Sequence, residues 1–208
     1  MSGRDRGRVC RALVGAAVVS LVAAGCSSAN AGPTPTPKID APLGSAGPWE
    51  PEFREALSLG VSDYEAGVLS DGRVTAAELE ETHHHVRRCL ADSGYSISYA
   101  TDGGFEIGSL KGAPPSNDMS KTNRVLEACE KKYDESITFL FEETRRNPQK
   151  QDEAAITVRC LQQAGLVGKD YSERKWRAEY DAGVFSFPEY DTAARQCTLD
   201  PLGLWRTP

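Results

Sequence analysis

The chain has 208 residues, of which 24 are Lys or Arg and 30 are Asp or Glu, giving a formal net charge of −6. This acidic balance argues against nucleic acid as a partner, because phosphate binding needs clustered Lys and Arg, and it provides no attraction to an anionic membrane surface. The length is suited to one domain with a buried core rather than to two.

The N-terminus has the organisation of an export signal. Four arginines between residues 4 and 11 precede an uncharged, mostly apolar run over residues 12–24. As a helix this run would extend about 20 Å, whereas the hydrocarbon core of a membrane is roughly 30 Å thick. Secretory signal peptides have this order of a basic segment, a short apolar run and small residues. We therefore predict a signal peptide over residues 1–25 rather than a transmembrane anchor.

The segment Leu21–Cys26 reads LVAAGC and resembles the lipobox of bacterial lipoproteins. The resemblance implies cleavage between Gly25 and Cys26, a diacylated Cys26 thiol and a lipid-anchored protein on the extracytoplasmic face of the cell membrane. Loss of residues 1–25 would change the formal charge to −9. Two or more acyl chains attach a protein stably without a basic patch. The alternative is an ordinary secretory signal in which Cys26 occurs by chance.

Residues 26–48 contain five prolines among small and polar residues, with hardly a large apolar side chain to bury. Proline-rich linkers extend by about 3.1 Å per residue, so this segment could hold a domain up to roughly 70 Å from the bilayer. A ligand for a proline-binding domain is the less favoured interpretation. We predict a lipidated Cys26 followed by a disordered tether to residue 48 and one extracytoplasmic domain over residues 49–208.

Most of this domain has apolar residues at helical spacing, which predicts an all-α or mainly α fold of five or six helices. The expected helices cover residues 51–66, 76–93, 121–145, 151–164 and 173–182, with a further helix that contains Cys197. Residues alternate between large or apolar and small or polar on both sides of a Gly103-Gly104 turn. That pattern predicts one small β-hairpin over residues 95–107, lying against a helix.

Two helix starts share the same sequence pattern. Thr75–Glu78 and Ser186–Glu189 both have the spacing of a capping box, and each follows a related segment, Tyr64–Ser70 or Tyr180–Ser186. We interpret the similarity as a degenerate internal duplication. Chance resemblance among alanine-rich helices is the alternative.

The cysteine count predicts two disulfides. One cysteine leaves with the signal peptide and one is the lipidation site, so an even number remains in an oxidising compartment: Cys89, Cys129, Cys160 and Cys197. Of three connectivities we favour Cys89 with Cys129 and Cys160 with Cys197, because each closes a loop of about 40 residues within one half of the duplication. A structural zinc site is disfavoured, since no two of these cysteines are two to four residues apart.

The three histidines of the chain are consecutive: His83, His84 and His85. Neighbouring residues on a helix point about 100° apart, so the three rings cannot converge on one ion. Pairs such as Glu80 with His84 could form at best a two-ligand surface site, whereas metal centres use three or four protein ligands. We interpret the triplet as a solvated helix face with His85 turned toward the core, and keep all three as weak metal candidates.

The chain has none of the common catalytic sequence motifs, such as Gly-x-Ser-x-Gly, His-Glu-x-x-His or a glycine-rich phosphate loop. We therefore assign no catalytic residue and no cofactor, and expect a non-enzymatic binding or structural role in the envelope. The partner would be an envelope protein or a small molecule. Binding would require a groove lined by aromatic residues such as Phe139, Phe141, Trp176 or Trp205. A metal-handling lipoprotein and a hydrolase with a perturbed carboxylate in a cleft are the alternatives.

Overall fold

The computed structural model describes residues 43–100, 103–111 and 119–206. The predicted signal peptide, Cys26 and most of the tether lie outside these ranges. The described residues form one short 3-10 helix, eight α-helices and one hairpin. In chain order the elements are the 3-10 helix Gly47–Trp49, α1 Glu50–Ser58, α2 Asp63–Leu69, α3 Ala76–Asp92, β1 Tyr95–Tyr99, β2 Phe105–Ser109, α4 Ser120–Tyr133, α5 Ile137–Arg146, α6 Glu153–Gln163, α7 Glu173–Ala182 and α8 Thr192–Leu199.

The prediction of a mainly α domain with one hairpin is confirmed. Within the described ranges, none of the helices combines the length and apolar composition that crossing a membrane would require. The helices outnumber the five or six expected because two of the predicted helices are each interrupted.

The first interruption separates α1 from α2. The expected helix over residues 51–66 ends at Ser58, and Gly60 adopts φ 86°, which is left-handed backbone that glycine accepts without a Cβ clash. The side chain of Ser62 then caps α2 by accepting a 3.2 Å hydrogen bond from the backbone N–H of Glu65. Gly67, the first residue after the expected helix, lies inside α2.

The second interruption divides the expected helix over residues 121–145 at Asp134, whose φ of −150° leaves the helical region. The Asp134 carboxylate accepts hydrogen bonds from the backbone N–H of Thr138 at 2.8 Å and from its Oγ1 at 2.7 Å. Glu65 Oε1, from α2, accepts a 2.9 Å bond from the backbone N–H of Ser136. Two carboxylates therefore satisfy N–H groups at the start of α5, where the helix dipole favours negative charge.

The predicted start of α3 is confirmed. Thr75 Oγ1 accepts from the backbone N–H of Glu78 at 3.2 Å, and Glu78 Oε2 accepts from the Thr75 N–H at 2.7 Å, which completes the capping box. The hairpin is confirmed as well, with Ile97 paired to Ile107 in its register. Ile97 is buried in the same apolar cluster as Val86 of α3, so the hairpin lies against a helix as expected.

The predicted second capping box, Ser186 with Glu189, is wrong. Helix α8 begins at Thr192, where the Asp191 side chain caps it by accepting a 2.8 Å hydrogen bond from the backbone N–H of Ala193. The backbone N–H of Ser186 instead donates to Glu179 Oε2 at 3.1 Å, which ties the preceding loop to α7. A capping pattern needs a helix directly after it, and here a turn over residues 188–191 intervenes.

The two similar segments before those boxes also differ in structure. Gly183 takes φ 64° and ends α7 in a left-handed cap, whereas Gly67 is helical. The local similarity between Tyr64–Ser70 and Tyr180–Ser186 is therefore not matched by a shared backbone conformation. The internal duplication stays a prediction that rests on the layout of the disulfides.

Both predicted disulfides are present, Cys89 with Cys129 and Cys160 with Cys197. The first joins α3 to α4 across the hairpin, and we call residues 76–133 the hairpin region. The second joins α6 to α8 with α7 between them, and we call residues 153–199 the C-terminal region. Each region has its own apolar cluster around its disulfide. A third cluster, centred on Phe53, Leu69 and Leu140, packs α1, α2 and α5 together.

Arg146, at the end of α5, joins these parts. Its side chain is only 9% exposed and forms ion pairs with Glu143 at 3.1 Å and with Glu153 of α6 at 2.5 Å. It also donates to the backbone carbonyl of Thr198 in α8 at 2.9 Å. The buried guanidinium thus connects α5 to both disulfide-bonded helices of the C-terminal region, with its charge balanced by two carboxylates.

Candidate functional site

A cleft of about 250 Å³ lies where the hairpin region meets α5 and the C-terminal segment after α8. We call it the hairpin cleft. It is lined by Leu79, His83, Tyr99, Ala100, Gly103, Gly104, Phe105, Glu130, Asp134, Thr138, Phe141, Glu142, Trp205 and Arg206. Five of these residues carry aromatic rings and five are ionisable acids or bases, so apolar walls and polar groups converge in one space.

The C-terminal wall of the cleft is fixed by Asp200. This residue is 1% exposed, and its carboxylate accepts three 2.9 Å hydrogen bonds from the backbone N–H groups of Leu204, Trp205 and Arg206. A buried carboxylate satisfied by three amides holds a loop in one conformation. The turn places Trp205 and Arg206 against α5.

The hairpin tip closes against the same wall. Arg206 Nη2 lies 2.8 Å from Glu142 Oε1 of α5, and the Arg206 side chain is 9% exposed. A Cβ atom at Gly103 would lie 2.8 Å from both of those atoms, and Gly103 takes φ 84°. Only glycine fits this close approach without displacing the ion pair. The ion pair and the hairpin turn therefore form one edge of the cleft.

Aromatic rings form the other walls. The His83 imidazole stacks on Tyr99 with ring centroids 3.6 Å apart and planes within 5° of parallel. On the opposite element, Phe141 meets Trp205 edge to face at 5.8 Å. Phe105 at the hairpin tip is 47% exposed and leaves part of its ring open to solvent. Trp205 Nε1 is buried and has no hydrogen-bond partner among the described residues.

His83, Asp134 and Thr138 form a polar contact inside the cleft. Thr138 Oγ1 donates to Asp134 Oδ2 and lies 3.2 Å from His83 Nε2. Burial, reinforced by the charge of Arg87, lowers the pKa of His83 to about 4, so the imidazole is neutral at pH 7. Its Nε2 is 4.0 Å from Asp134 Oδ2, too far for a hydrogen bond, and a neutral ring forms no ion pair there.

Two carboxylates of the cleft carry raised pKa values. Burial raises the pKa of Asp134 despite the hydrogen bonds from Thr138, and its side chain is 7% exposed. Burial also raises the pKa of Glu130, and the charge of Asp134 adds to the effect. Glu130 lies in the last turn of α4 and Asp134 directly follows the helix, and both line the cleft. No Lys or Arg among the described residues lies within ion-pair distance of either carboxylate.

The polar contact resembles a nucleophile–base pair but lacks the geometry of a catalytic triad. In a triad the acid binds one imidazole nitrogen and the nucleophile binds the other. Here Asp134 and Thr138 both lie beside Nε2 of His83, and the Thr138 hydroxyl donates to Asp134. This arrangement holds Thr138 and the carboxylate in place. It provides no relay of a proton through the histidine.

The structure separates the three histidines that were weak metal candidates. His83 faces the cleft, His84 is exposed, and His85 stacks on Tyr133 with centroids 5.0 Å apart. His83 is therefore more enclosed than the solvated face predicted, with a side chain 12% exposed against 29% for His85. No group of three or more His, Cys, Asp or Glu side chains in the described ranges is arranged to hold a metal ion.

Of the aromatic residues expected around a binding groove, Phe141 and Trp205 line the cleft. Phe139 is 55% exposed and Trp176 is buried in the C-terminal region, both away from it. Sequence reasoning missed Asp134 and Glu130 as site residues. Their spacing of four was a usable signal, but it resembles an ordinary solvated helix face until the hairpin is seen to cover it.

A second, more open depression lies on the C-terminal region between α6 and the start of α7. Its walls include Arg159, Gln162 and Arg174, which are partly or fully exposed. The hairpin cleft is the stronger candidate, because enclosed ionisable groups with shifted pKa values cluster at functional sites.

The chain matches no protein-family model, no curated protein and no solved structure.

Proposed function

We propose that this protein is a lipid-anchored, extracytoplasmic binding protein whose hairpin cleft takes a small ligand without transforming it. One observation carries the proposal: the hairpin cleft joins aromatic walls to a buried indole N–H, Trp205 Nε1, that has no hydrogen-bond partner among the described residues. Ligand sites are typically concave, mainly apolar and fitted with a few convergent polar groups. A ligand or an ordered water that accepts from Trp205 Nε1 would remove the cost of a buried, unbonded donor.

The anchor follows from the lipobox resemblance at Leu21–Cys26. Lipid would attach through the Cys26 sulfur, so Cys26→Ser should release the protein into the aqueous fraction or leave it uncleaved. Membrane fractionation with mass spectrometry of the N-terminus measures both results. A Cys26→Ser protein that fractionates with membranes at its mature size would contradict the anchor.

The ligand site is tested by filling it. Ala100 is exposed and lines the cleft, so Ala100→Trp should occupy the space without disturbing the core. Ala91 is an exposed residue of α3 that does not line the cleft, and Ala91→Trp is the matched control. The full chain is equilibrated with a small-molecule extract and examined by native mass spectrometry. We expect the unmodified protein and Ala91→Trp to retain the same bound species, and Ala100→Trp to lose it.

Retention of the same species by all three proteins would place binding elsewhere, and retention by none would contradict the proposal.

A hydrolase is the second candidate, favoured by the raised pKa values of Asp134 and Glu130. The eluted ligand distinguishes the two functions. After incubation with fresh protein its mass should be unchanged, whereas the addition of one water would support hydrolysis.

A further inference from the structure

The charges around the hairpin cleft are unevenly paired. Arg206 is engaged by Glu142 at 2.8 Å, and Arg87 at the back of Tyr99 is paired with Glu80 at 3.0 Å. His83 contributes no positive charge at neutral pH. Asp134 and Glu130 have no cationic side chain within ion-pair distance among the described residues.

An enclosed carboxylate without a counter-charge is costly, because burial removes water that neutral hydrogen bonds only partly replace. Asp134 has the Thr138 amide and hydroxyl as donors. Glu130 has no described hydrogen-bond donor, although it shares the cleft with Asp134. A bound cation would supply the missing charge to both side chains and would strengthen hydrogen bonds to them.

The walls favour an organic cation over a bare one. Aromatic rings attract a positive charge through their faces and also accommodate a carbon skeleton. Tyr99, Phe105 and Trp205 line the same space as the two carboxylates. A metal ion would need three or more ligands, and the described residues offer no such group. A volume of about 250 Å³ suits a molecule with on the order of ten non-hydrogen atoms.

We propose that the hairpin cleft binds a small organic ammonium ion, with the ammonium group between Glu130 and Asp134 and its carbon skeleton against the aromatic walls. The inference rests on the proposed binding function and specifies the ligand class of the same site. The ammonium group donates to the carboxylate of Glu130 and to the outer face of the Asp134 carboxylate. Thr138 keeps Asp134 oriented for that contact.

The test uses three probes of similar shape that differ in charge: phenethylammonium, 2-phenylethanol and phenylacetate. Each is titrated by calorimetry into the full chain at pH 7 in a mild detergent. We expect phenethylammonium to bind at least tenfold more tightly than 2-phenylethanol, since a charge-assisted hydrogen bond is about twice as strong as a neutral one. Phenylacetate should bind most weakly, because two carboxylates repel it.

Two variants locate the contact. Glu130→Gln should weaken phenethylammonium binding about tenfold and leave 2-phenylethanol binding almost unchanged. Glu127→Gln is the matched control, since Glu127 is an exposed residue of the same helix and its substitution changes the net charge equally. Asp134→Asn retains an acceptor oxygen for Thr138 and provides a second variant if Glu130→Gln fails to fold.

Equal affinity for phenethylammonium and 2-phenylethanol, or equal effects of Glu127→Gln and Glu130→Gln, would overturn the ammonium assignment. If 2-phenylethanol binds and Ala100→Trp abolishes its binding, the binding function stands and only the ligand class is wrong. If an extract ligand binds in the cleft but phenethylammonium does not bind, the ligand class is again wrong. If no component of the extract and none of the three probes binds in the hairpin cleft, both proposals fail.

Discussion

The hairpin region and the C-terminal region are each closed by one disulfide, but they differ in how their acidic side chains are paired. In each, one disulfide joins two helices across about 40 residues of chain, with separations of 40 and 37. In the C-terminal region two acidic side chains have close partners: the Tyr171 hydroxyl donates to Glu179 at 2.6 Å, and Glu153 pairs with Arg146 of α5 at 2.5 Å. At the end of the hairpin region, Glu130 and the next residue after the region, Asp134, instead face a cleft without a cationic partner among the described residues.

This difference separates stability from function. Polar side chains that have partners contribute to the stability of the C-terminal region. Carboxylates that face the hairpin cleft without a described cationic partner are instead retained at a cost in stability. Both regions have an apolar cluster around a disulfide, so the presence of a packed core does not distinguish them. The aromatic walls, and two carboxylates with no cationic partner among the described residues, make the hairpin cleft the candidate functional site.

The largest expected effect falls on the contact between α5 and the C-terminal region. Arg146→Ala would leave Glu143 and Glu153 without their shared counter-charge and the carbonyl of Thr198 without its donor. Removing one member of a buried ion pair typically costs about 3 to 5 kcal/mol. Denaturant unfolding measures the loss.

Arg145→Ala is the matched control for that change, because Arg145 is exposed, has the same charge and lies over Phe141 at 4.1 Å. It should cost less than about 1 kcal/mol. Equal losses for the two variants would show that the contacts of Arg146 with α6 and α8 contribute little to stability.

Removal of each disulfide sharpens the comparison directly. Replacing Cys89 and Cys129 with Ala, or Cys160 and Cys197 with Ala, should cost about 3 to 4 kcal/mol in either case, because the closed loops are similar in length. Ligand binding should respond differently, since only the first pair holds elements that line the cleft. Calorimetry on both variants checks this, and an equal loss of binding would contradict the division of roles.

Acidification provides a smaller, site-specific effect. The folded-state pKa of His83 lies near 4, below its ordinary value of 6.5, so the unfolded chain binds the proton more readily between these values. The contribution of neutral His83 to the free energy of unfolding is therefore fully present above pH 6.5 and is lost as the pH falls toward 4. The expected loss is about 2 to 3 kcal/mol.

His83→Gln should remove that part of the pH dependence, and His84→Gln, at an exposed position, should retain it. Burial raises the pKa values of Asp134, Glu130 and Glu65, and their contributions change in the opposite direction, with stability falling as the pH rises through their titration. The difference between the variants isolates His83. If the free energy of unfolding depends on pH in the same way for wild type and His83→Gln, His83 is not a neutral, buried histidine in the folded protein.

The smallest expected difference in stability is between Ala substitutions at two glycines. Gly103→Ala at the cleft places a Cβ atom 2.8 Å from Glu142 Oε1 and adds backbone strain at φ 84°, for a total of about 2 kcal/mol. Gly183→Ala in the C-terminal region also has positive φ but meets no atom within 4 Å, so it should cost only about 1 kcal/mol. Thermal unfolding measures both. Equal costs would contradict the close approach at the hairpin tip.

Several features of the fold were predictable because their signals are local. The Thr75–Glu78 capping box specifies the start of α3, and alternation around Gly103-Gly104 specifies the hairpin. The breaks at Gly60 and Asp134 were missed because apolar periodicity continues across each of them. The second capping box was wrong because a four-residue pattern does not reveal whether a helix follows it.

The candidate site was less predictable than the fold. Phe141 and Trp205 were expected around a groove, but Asp134 and Glu130 are separated from Arg206 by about seventy residues of chain. No local pattern relates them. The aromatic residues were predictable because large rings are enriched at binding sites, whereas an unpaired carboxylate is recognised only when its neighbours are known.

The sequence by itself determined the mainly helical composition and the hairpin, because capping and periodicity act over short distances, and it limited the pairing of the four cysteines to three alternatives, of which the favoured one is present. Only the tertiary structure decided that the hairpin lies over the end of α4, that Asp200 turns the C-terminal segment toward α5, and that no cationic side chain of the described residues pairs with Glu130 or Asp134. The physical reason is that burial and charge pairing depend on atoms from distant parts of the chain, which a one-dimensional pattern does not bring together.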